Sequence, residues 1–158
     1  METNMLRKLI TASAVIILTS AISITSVWAA THEVFMYNKN PDNKKERNVF
    51  VPAVLKIELG DTVKFISKSK GHNSQSDKKA IPEGAENWKS KIGKDFEVTY
   101  TVDGTYSYYC TPHRGLGMVG LILVGDYKVN YDDVKASKQK GGAKKTFKKL
   151  YEQVDAME

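Results

Sequence analysis

The segment from Cys110 to Met118, which reads CTPHRGLGM, contains a thiol, an imidazole and a thioether within nine residues. Each of these groups has a lone pair that can bind a metal ion, and two of the three donors are sulfur. Sulfur ligands favour copper over calcium, magnesium or manganese. Because three donors on one short loop cannot surround an ion, we expect a further ligand from another part of the chain.

The further ligand is expected to be a histidine, and the chain has two outside this loop, His32 and His72. His32 lies close to the predicted start of the mature chain, where backbones are usually loose. His72 follows a predicted strand in a Gly-His-Asn sequence and is the better candidate. Two histidines, one cysteine and a weakly bound methionine are the ligands of a blue-copper electron-transfer site. Such a set suits both Cu(I) and Cu(II), and it leaves no open position for a substrate.

Short strands separated by turn signals are predicted to position these ligands. Thr62–Ile66 and Phe96–Val102 alternate polar and apolar residues, and Asp103-Gly104 predicts a hairpin turn. A pattern of this kind without βαβ alternation predicts an antiparallel sandwich or barrel. A long polar loop is expected over 68–86, with one or two helical turns over 85–91. The predicted strands cover residues 33–37, 49–59 (edge or bent, because of Pro52), 62–66, 96–102, 105–109 and 118–124.

The composition changes after Gly125 from strand-like to helical. Phe147, Leu150, Tyr151 and Val154 have the spacing of one helix face. This helix is expected to follow a shorter one near 131–138, after a Gly-Gly break at 141–142. We interpret the pair as a helical extension, 127–158, packed on a sandwich domain, 30–126. A basic helix lying on a membrane surface is the alternative.

The first 29 residues have the features of a secretory signal peptide. Arg7 and Lys8 precede an apolar run over 9–28, and Val27 and Ala29 provide small residues at a cleavage site. An uncleaved anchor is the alternative, because about 20 residues can span a bilayer. Serines and threonines dilute the run, which favours cleavage, export from the cytoplasm and no stable membrane insertion of the mature protein.

The remaining composition is that of one globular domain. The chain has 158 residues, 41% apolar and 27% charged, with a formal net charge of +6. Its single cysteine excludes an internal disulfide and any cluster that needs several thiolates. A mildly basic surface favours acidic partners. Nothing indicates nucleic-acid binding, and a monomer is expected.

Several segments resemble the cupredoxins and, among them, the pseudoazurin family. The resemblance implies an eight-stranded Greek-key sandwich with two C-terminal α-helices and one type 1 copper ion. It implies copper ligation by His72, Cys110, His113 and Met118, with Asn73 joining the two ligand loops and placing an N–H near the cysteine sulfur. It also implies a docking ring that includes Lys70, Lys39 and Lys89. The matching segments are 60–63, 70–73, 81–85, 89–92, 110–113 and 117–120.

The same resemblance implies partners and a location. Family members carry electrons in the periplasm of denitrifying bacteria to copper nitrite reductase, from donors such as c-type cytochromes. Tyr109 stands where many members have lysine, and Arg114 places a charge beside His113, so docking is expected to differ here. The alternative function is copper delivery or storage, which the lack of a Met/His cluster disfavours. A cysteine hydrolase is a weaker alternative, because Met118 has no role in it.

Overall fold

The computed structural model describes residues 28–157. Apart from its last two residues, the predicted signal peptide, 1–29, lies outside this range. No helix within the described range is long and apolar enough to cross a membrane.

The described chain forms a sandwich of two four-stranded sheets, followed by two α-helices, as predicted. One sheet has the strand order β2-β1-β4-β6, and the other has the order β3-β8-β7-β5. The strands are β1 (Thr31–Lys39), β2 (Arg47–Val51), β3 (Val54–Ile57), β4 (Thr62–Ser67), β5 (Gln75–Ser76), β6 (Phe96–Thr99), β7 (Gly104–Tyr109) and β8 (Val119–Val124). The helices are α1 (Tyr131–Ala136) and α2 (Gly141–Asp155).

The prediction of a wholly antiparallel arrangement is wrong at two strand pairs. β1 pairs with β4 in parallel, and β3 pairs with β8 in parallel. The chain crosses between the sheets after β2, so strands that are neighbours in a sheet are not neighbours in sequence. Alternation along one strand reports which face is buried, and it carries no information about the direction of a distant partner.

The apolar run over 49–59 forms two strands rather than one bent strand. β2 lies in the first sheet and β3 in the second, and the chain changes sheets at a cis Val51–Pro52 bond. The helical turns expected over 85–91 are absent from the structure. This segment is irregular and makes one isolated bridge, from Lys89 to Gln75.

The space between the sheets is filled largely by aromatic side chains. Tyr108 is fully buried, and its ring lies 4.7 Å from Phe50 and 5.2 Å from Phe65, centroid to centroid. Cys110 and Met118 belong to the same buried cluster. The proposed sulfur donors are therefore at one end of the apolar core, away from bulk water.

β8 is buried on both faces, which accounts for its continuous apolar sequence. Ile122 and Val124 point into the sandwich, while Leu121 and Leu123 pack against the helices. Phe147 of α2 is 2% exposed in the same outer cluster. The predicted helix face thus covers the second sheet, and burial of each such side chain contributes about 1.5–3 kcal/mol. The alternative of a membrane-surface helix is wrong, because its apolar face is already covered.

Candidate metal centre

Cys110, His113 and Met118 lie on one compact loop between β7 and β8. Cys110 follows the last residue of β7, and Met118 precedes the first residue of β8. Between them, a single 3-10 turn covers Arg114–Leu116. The Cys110 N–H donates to the Met118 carbonyl at 3.0 Å, and the Met118 N–H donates to the His113 carbonyl at 3.1 Å. These bonds close the loop, so the three side chains project from one rigid turn.

His72 reaches the same place from the loop after β4. Gly71 immediately before it has a φ of +91°, a backbone conformation that side-chain-bearing residues rarely adopt. The His72 side chain is fully buried, and its Nε2 lies 2.7 Å from Asn38 Oδ1. Because an amide oxygen only accepts, His72 must donate from Nε2, which leaves the lone pair on Nδ1. Burial lowers the pKa of His72, and the nearby His113 lowers it further, so the neutral ring is favoured.

Three donor atoms face one point. His72 Nδ1 lies 3.1 Å from His113 Nδ1 and 3.7 Å from Cys110 Sγ, and His113 Nδ1 lies 3.4 Å from that sulfur. The point equidistant from all three atoms of this triangle is about 2.0 Å from each of them. This distance is close to the bond lengths of about 2.0–2.3 Å that nitrogen and sulfur ligands make to a first-row metal ion. No other group of His, Cys, Asp or Glu in residues 28–157 could hold a metal in this way. The donors therefore fit a copper ion without rearrangement.

The Cys110 sulfur is buried but lies against two backbone donors. Burial raises the pKa of the Cys110 thiol, while the backbone N–H groups of Asn73 and His113 oppose that shift. Without a metal, the thiol is therefore favoured over the thiolate. Metal binding has to displace this proton, and the two N–H groups then stabilise the sulfur charge.

Asn73 joins the His72 loop to the Cys110 loop. Its Oδ1 accepts from the Thr111 N–H at 2.8 Å, and its Nδ2 donates to Thr111 Oγ1 at 3.1 Å and to the Ser90 carbonyl at 3.2 Å. The Asn73 side chain is buried, and so is its bond to the Ser90 carbonyl. One side chain thereby sets the distance between the two ligand loops.

Met118 is fully buried beside Cys110 at the end of the core. A thioether in this position is shielded from solvent and is a weak ligand. The four ligand candidates from the sequence are thus gathered at one end of the sandwich. His113 is the one that is half-buried rather than buried, so the site approaches the surface at His113.

Segments of the chain that adjoin the metal centre carry exposed apolar side chains and lysines. Leu116 is 69% exposed and Ile92 is 58% exposed. The three lysines expected in the docking ring, Lys39, Lys70 and Lys89, are all exposed.

The Arg114 side chain is held by three neighbouring side chains. Its Nη2 lies 2.5 Å from Asp77 Oδ2 and 2.9 Å from Gln139 Oε1, and its guanidinium stacks 4.1 Å from the centre of the Tyr109 ring. Arg114 therefore does not present a free charge beside His113, and its effect on docking stays a prediction. Its charge is neutralised by Asp77, and the two unusual residues, Tyr109 and Arg114, pack on each other.

Two residues differ from the sequence-based expectations. His32 is not in a loose terminus: it lies in β1, with its Nε2 2.8 Å from Asp61 Oδ2, and it is not part of the metal centre. Asn38, which holds His72, was not singled out from the sequence. Its only signal is an Asn-Lys pair at the end of a predicted strand, which does not distinguish it from an ordinary loop residue.

The chain is similar to known copper proteins over the region that builds this site. A model described as copper binding proteins, plastocyanin/azurin family, matches residues 37–125. A pseudoazurin from Paracoccus pantotrophus is 43% identical over 129 residues, covering 82% of each chain. The pseudoazurin structure from Methylobacterium extorquens AM1 superposes with a TM-score of 0.73 at 32% identity, over 78% of this chain and 98% of that one. The pseudoazurin structure from Hyphomicrobium denitrificans gives a TM-score of 0.72 at 37% identity, over 78% and 97%.

Proposed function

This chain belongs to the pseudoazurin family of cupredoxins, and we propose that it carries electrons in the periplasm through a copper ion held by His72, Cys110, His113 and Met118. As a cupredoxin it is a blue copper electron-transfer protein with one type 1 copper ion, and it is not an enzyme. The ligand assignment, the compartment and the partners are the proposed parts.

The ligand assignment rests on the triangle formed by the three donor atoms. Two imidazole nitrogens and one sulfur, each about 2.0 Å from a common point, form a trigonal set that suits both oxidation states of copper. When bound, copper supplies the one-electron chemistry. The chain supplies a pre-arranged site, because the bonds of Asn38 and Asn73 hold the donors in place before a metal arrives.

The burial of the donors favours electron transfer over copper delivery or storage. His72, Cys110 and Met118 are buried, so a ligand from another protein cannot reach them without opening the loop. A delivery protein needs accessible ligands that can be exchanged between partners. An electron can instead cross a short distance through the half-buried His113 ring without exposure of the site.

The surface around His113 suits brief contacts with a redox partner. Exposed Leu116 and Ile92 provide a small apolar contact, and Lys39, Lys70 and Lys89 provide positive charge. Charge at the rim accelerates encounter more than it strengthens binding. We propose copper nitrite reductase as the acceptor in denitrification and a c-type cytochrome as the donor.

The test of the copper site is an absorption spectrum of the mature protein titrated with Cu(II). An intense visible band at one equivalent is expected from the bond between Cys110 and copper. Cys110→Ser is expected to abolish the band, and Thr111→Ser, at the next residue, is the matched control that retains it. A band that persists in Cys110→Ser would contradict the assignment.

The test of the partners is the rate of electron exchange with each candidate. The reduced protein is mixed with copper nitrite reductase, and the oxidised protein with a reduced c-type cytochrome, in a stopped-flow spectrometer. Recovery or loss of the visible band reports the direction of transfer. Absence of exchange with nitrite reductase would reject that partner while leaving the copper site unaffected.

A further inference from the structure

The first turn of α2 packs on the metal-binding loop through backbone atoms. A Cβ on Gly142 would lie 2.5 Å from the Leu116 carbonyl carbon, 2.6 Å from the Gly115 oxygen and 2.7 Å from the Gly117 nitrogen. A Cβ on Gly117 would lie 2.5 Å from Thr146 Oγ1 of α2. Real Cβ atoms do not show contacts this short, and the neighbours of Gly142 are backbone atoms that cannot rotate away, so only glycine permits the observed approach at this position.

Helix stability does not explain Gly142. Gly142 is not among the glycines with a positive φ, and alanine is generally more favourable than glycine within a helix. Glycine is therefore unfavourable for α2 itself. Its benefit is close contact with the peptide between Leu116 and Gly117, one residue before Met118.

A side-chain cluster makes a second connection between the same two parts of the chain. Arg114 of the loop contacts Gln139, in the segment between α1 and α2, at 2.9 Å. The Gln139 Nε2 donates to Asp77 Oδ2 at 3.2 Å, and Asp77 also pairs with Arg114. The loop is thus connected to the C-terminal extension at both ends of its 3-10 turn.

We propose that the C-terminal extension positions the metal-binding loop through two positioning residues. Gly142 acts through the peptide between Leu116 and Gly117, and Gln139 acts through Arg114. This inference rests on the proposed ligand roles for its effect on copper. The helices would then do more than cover the second sheet. They would set the position of the weakest ligand, on which the reduction potential of such a site depends.

The contact itself is tested in metal-free protein by amide hydrogen exchange. The N–H groups of Leu116, Gly117 and Met118 bond within the loop, so their exchange reports its local opening. Gly142→Ala is expected to accelerate exchange at these amides roughly tenfold, which corresponds to about 1.4 kcal/mol of local stability. Gln139→Ala, in the segment between α1 and α2, is expected to accelerate exchange at the Arg114 end of the loop.

The effect on the metal site is tested on the copper-loaded variants by the ratio of visible absorption bands and by the reduction potential. Gly142→Ala and Gln139→Ala are expected to shift both quantities. Two controls are matched to them. Ala143→Gly lowers the stability of the same helix turn in the outer core, and Lys140→Ala changes an exposed neighbour of Gln139. Both are expected to retain the parent values.

Two results would overturn the proposal. One is that both Gly142→Ala and Gln139→Ala leave amide hydrogen exchange in the loop unchanged, or that both leave the ratio of visible bands and the reduction potential unchanged. The other is an equal change in Ala143→Gly, which would indicate general destabilisation instead of positioning. If the parent protein gives no visible band with Cu(II), the ligand assignment fails, and hydrogen exchange in the metal-free protein still decides whether α2 positions the loop.

Discussion

Asn38 provides a sharp test of how the site is pre-arranged, because it contacts a ligand without being one. Its Oδ1 accepts from His72 Nε2 at 2.7 Å and thereby directs the Nδ1 lone pair towards the other donors. Asn38→Ala removes this acceptor. The His72 ring is then free to rotate and to carry its proton on the nitrogen that should bind the metal.

The expected loss of copper affinity in Asn38→Ala depends on how exposed Asn38 is. Loss of a hydrogen bond to a metal-bound histidine reduces metal affinity by about 10–100-fold. Asn38 is exposed, so a water molecule can replace part of its function, and we expect the lower end of that range. A reduction of about tenfold corresponds to about 1.4 kcal/mol of binding free energy.

The assay is a competition titration of Cu(II) between the protein and a chromophoric chelator. Asn40→Ala is the matched control, because Asn40 contacts Glu46 within the neighbouring loop and does not contact the site. Asn38→Asp keeps an acceptor and is expected to retain the affinity. If the dissociation constant of Asn38→Ala equals that of the parent while the fold is intact, His72 is not held in place by this bond.

Three further outcomes are expected. Met118→Gln should keep the visible band and lower the reduction potential, because an oxygen donor favours Cu(II); an unchanged potential in voltammetry would argue against axial ligation. Lys70→Glu should slow electron transfer to an acidic partner, with a larger effect at low salt. Lys56→Glu, which is paired with Leu123 at the other end of β8, is the control that should not slow it. Equal transfer rates for Lys70→Glu and the parent protein at all ionic strengths would reject electrostatic docking. A hydrogen bond from the Ala30 N–H lowers the pKa of Asp61 in the folded protein. The Asp61 carboxylate therefore stabilises the fold at pH values above its unfolded pKa of about 3.9. This stabilisation is lost as the pH falls through the lower pKa of the folded state. Asp61→Asn should therefore reduce the difference in melting temperature between pH 7 and pH 3, and an unchanged difference would contradict this role.

Much of the metal centre was predictable because it is local in sequence. Cys110, His113 and Met118 are close enough that one turn between two strands brings them together, whatever the rest of the fold. The buried face of α2 was predictable for a similar reason, since helical spacing alone places Phe147, Leu150 and Val154 on one side.

The tertiary structure decided what depends on residues far apart in the chain. His72 meets Cys110 across 38 positions, and Asn38 meets His72 across 34, through strand pairings that no local pattern specifies. The pairing of Arg114 also depends on the tertiary structure, because Asp77 and Gln139 come together with it only when the helices pack on the second sheet. Local sequence sets which face of a strand or helix is apolar. The register and order of distant elements follow from burying all of those faces at once, and that condition exists only in the folded chain.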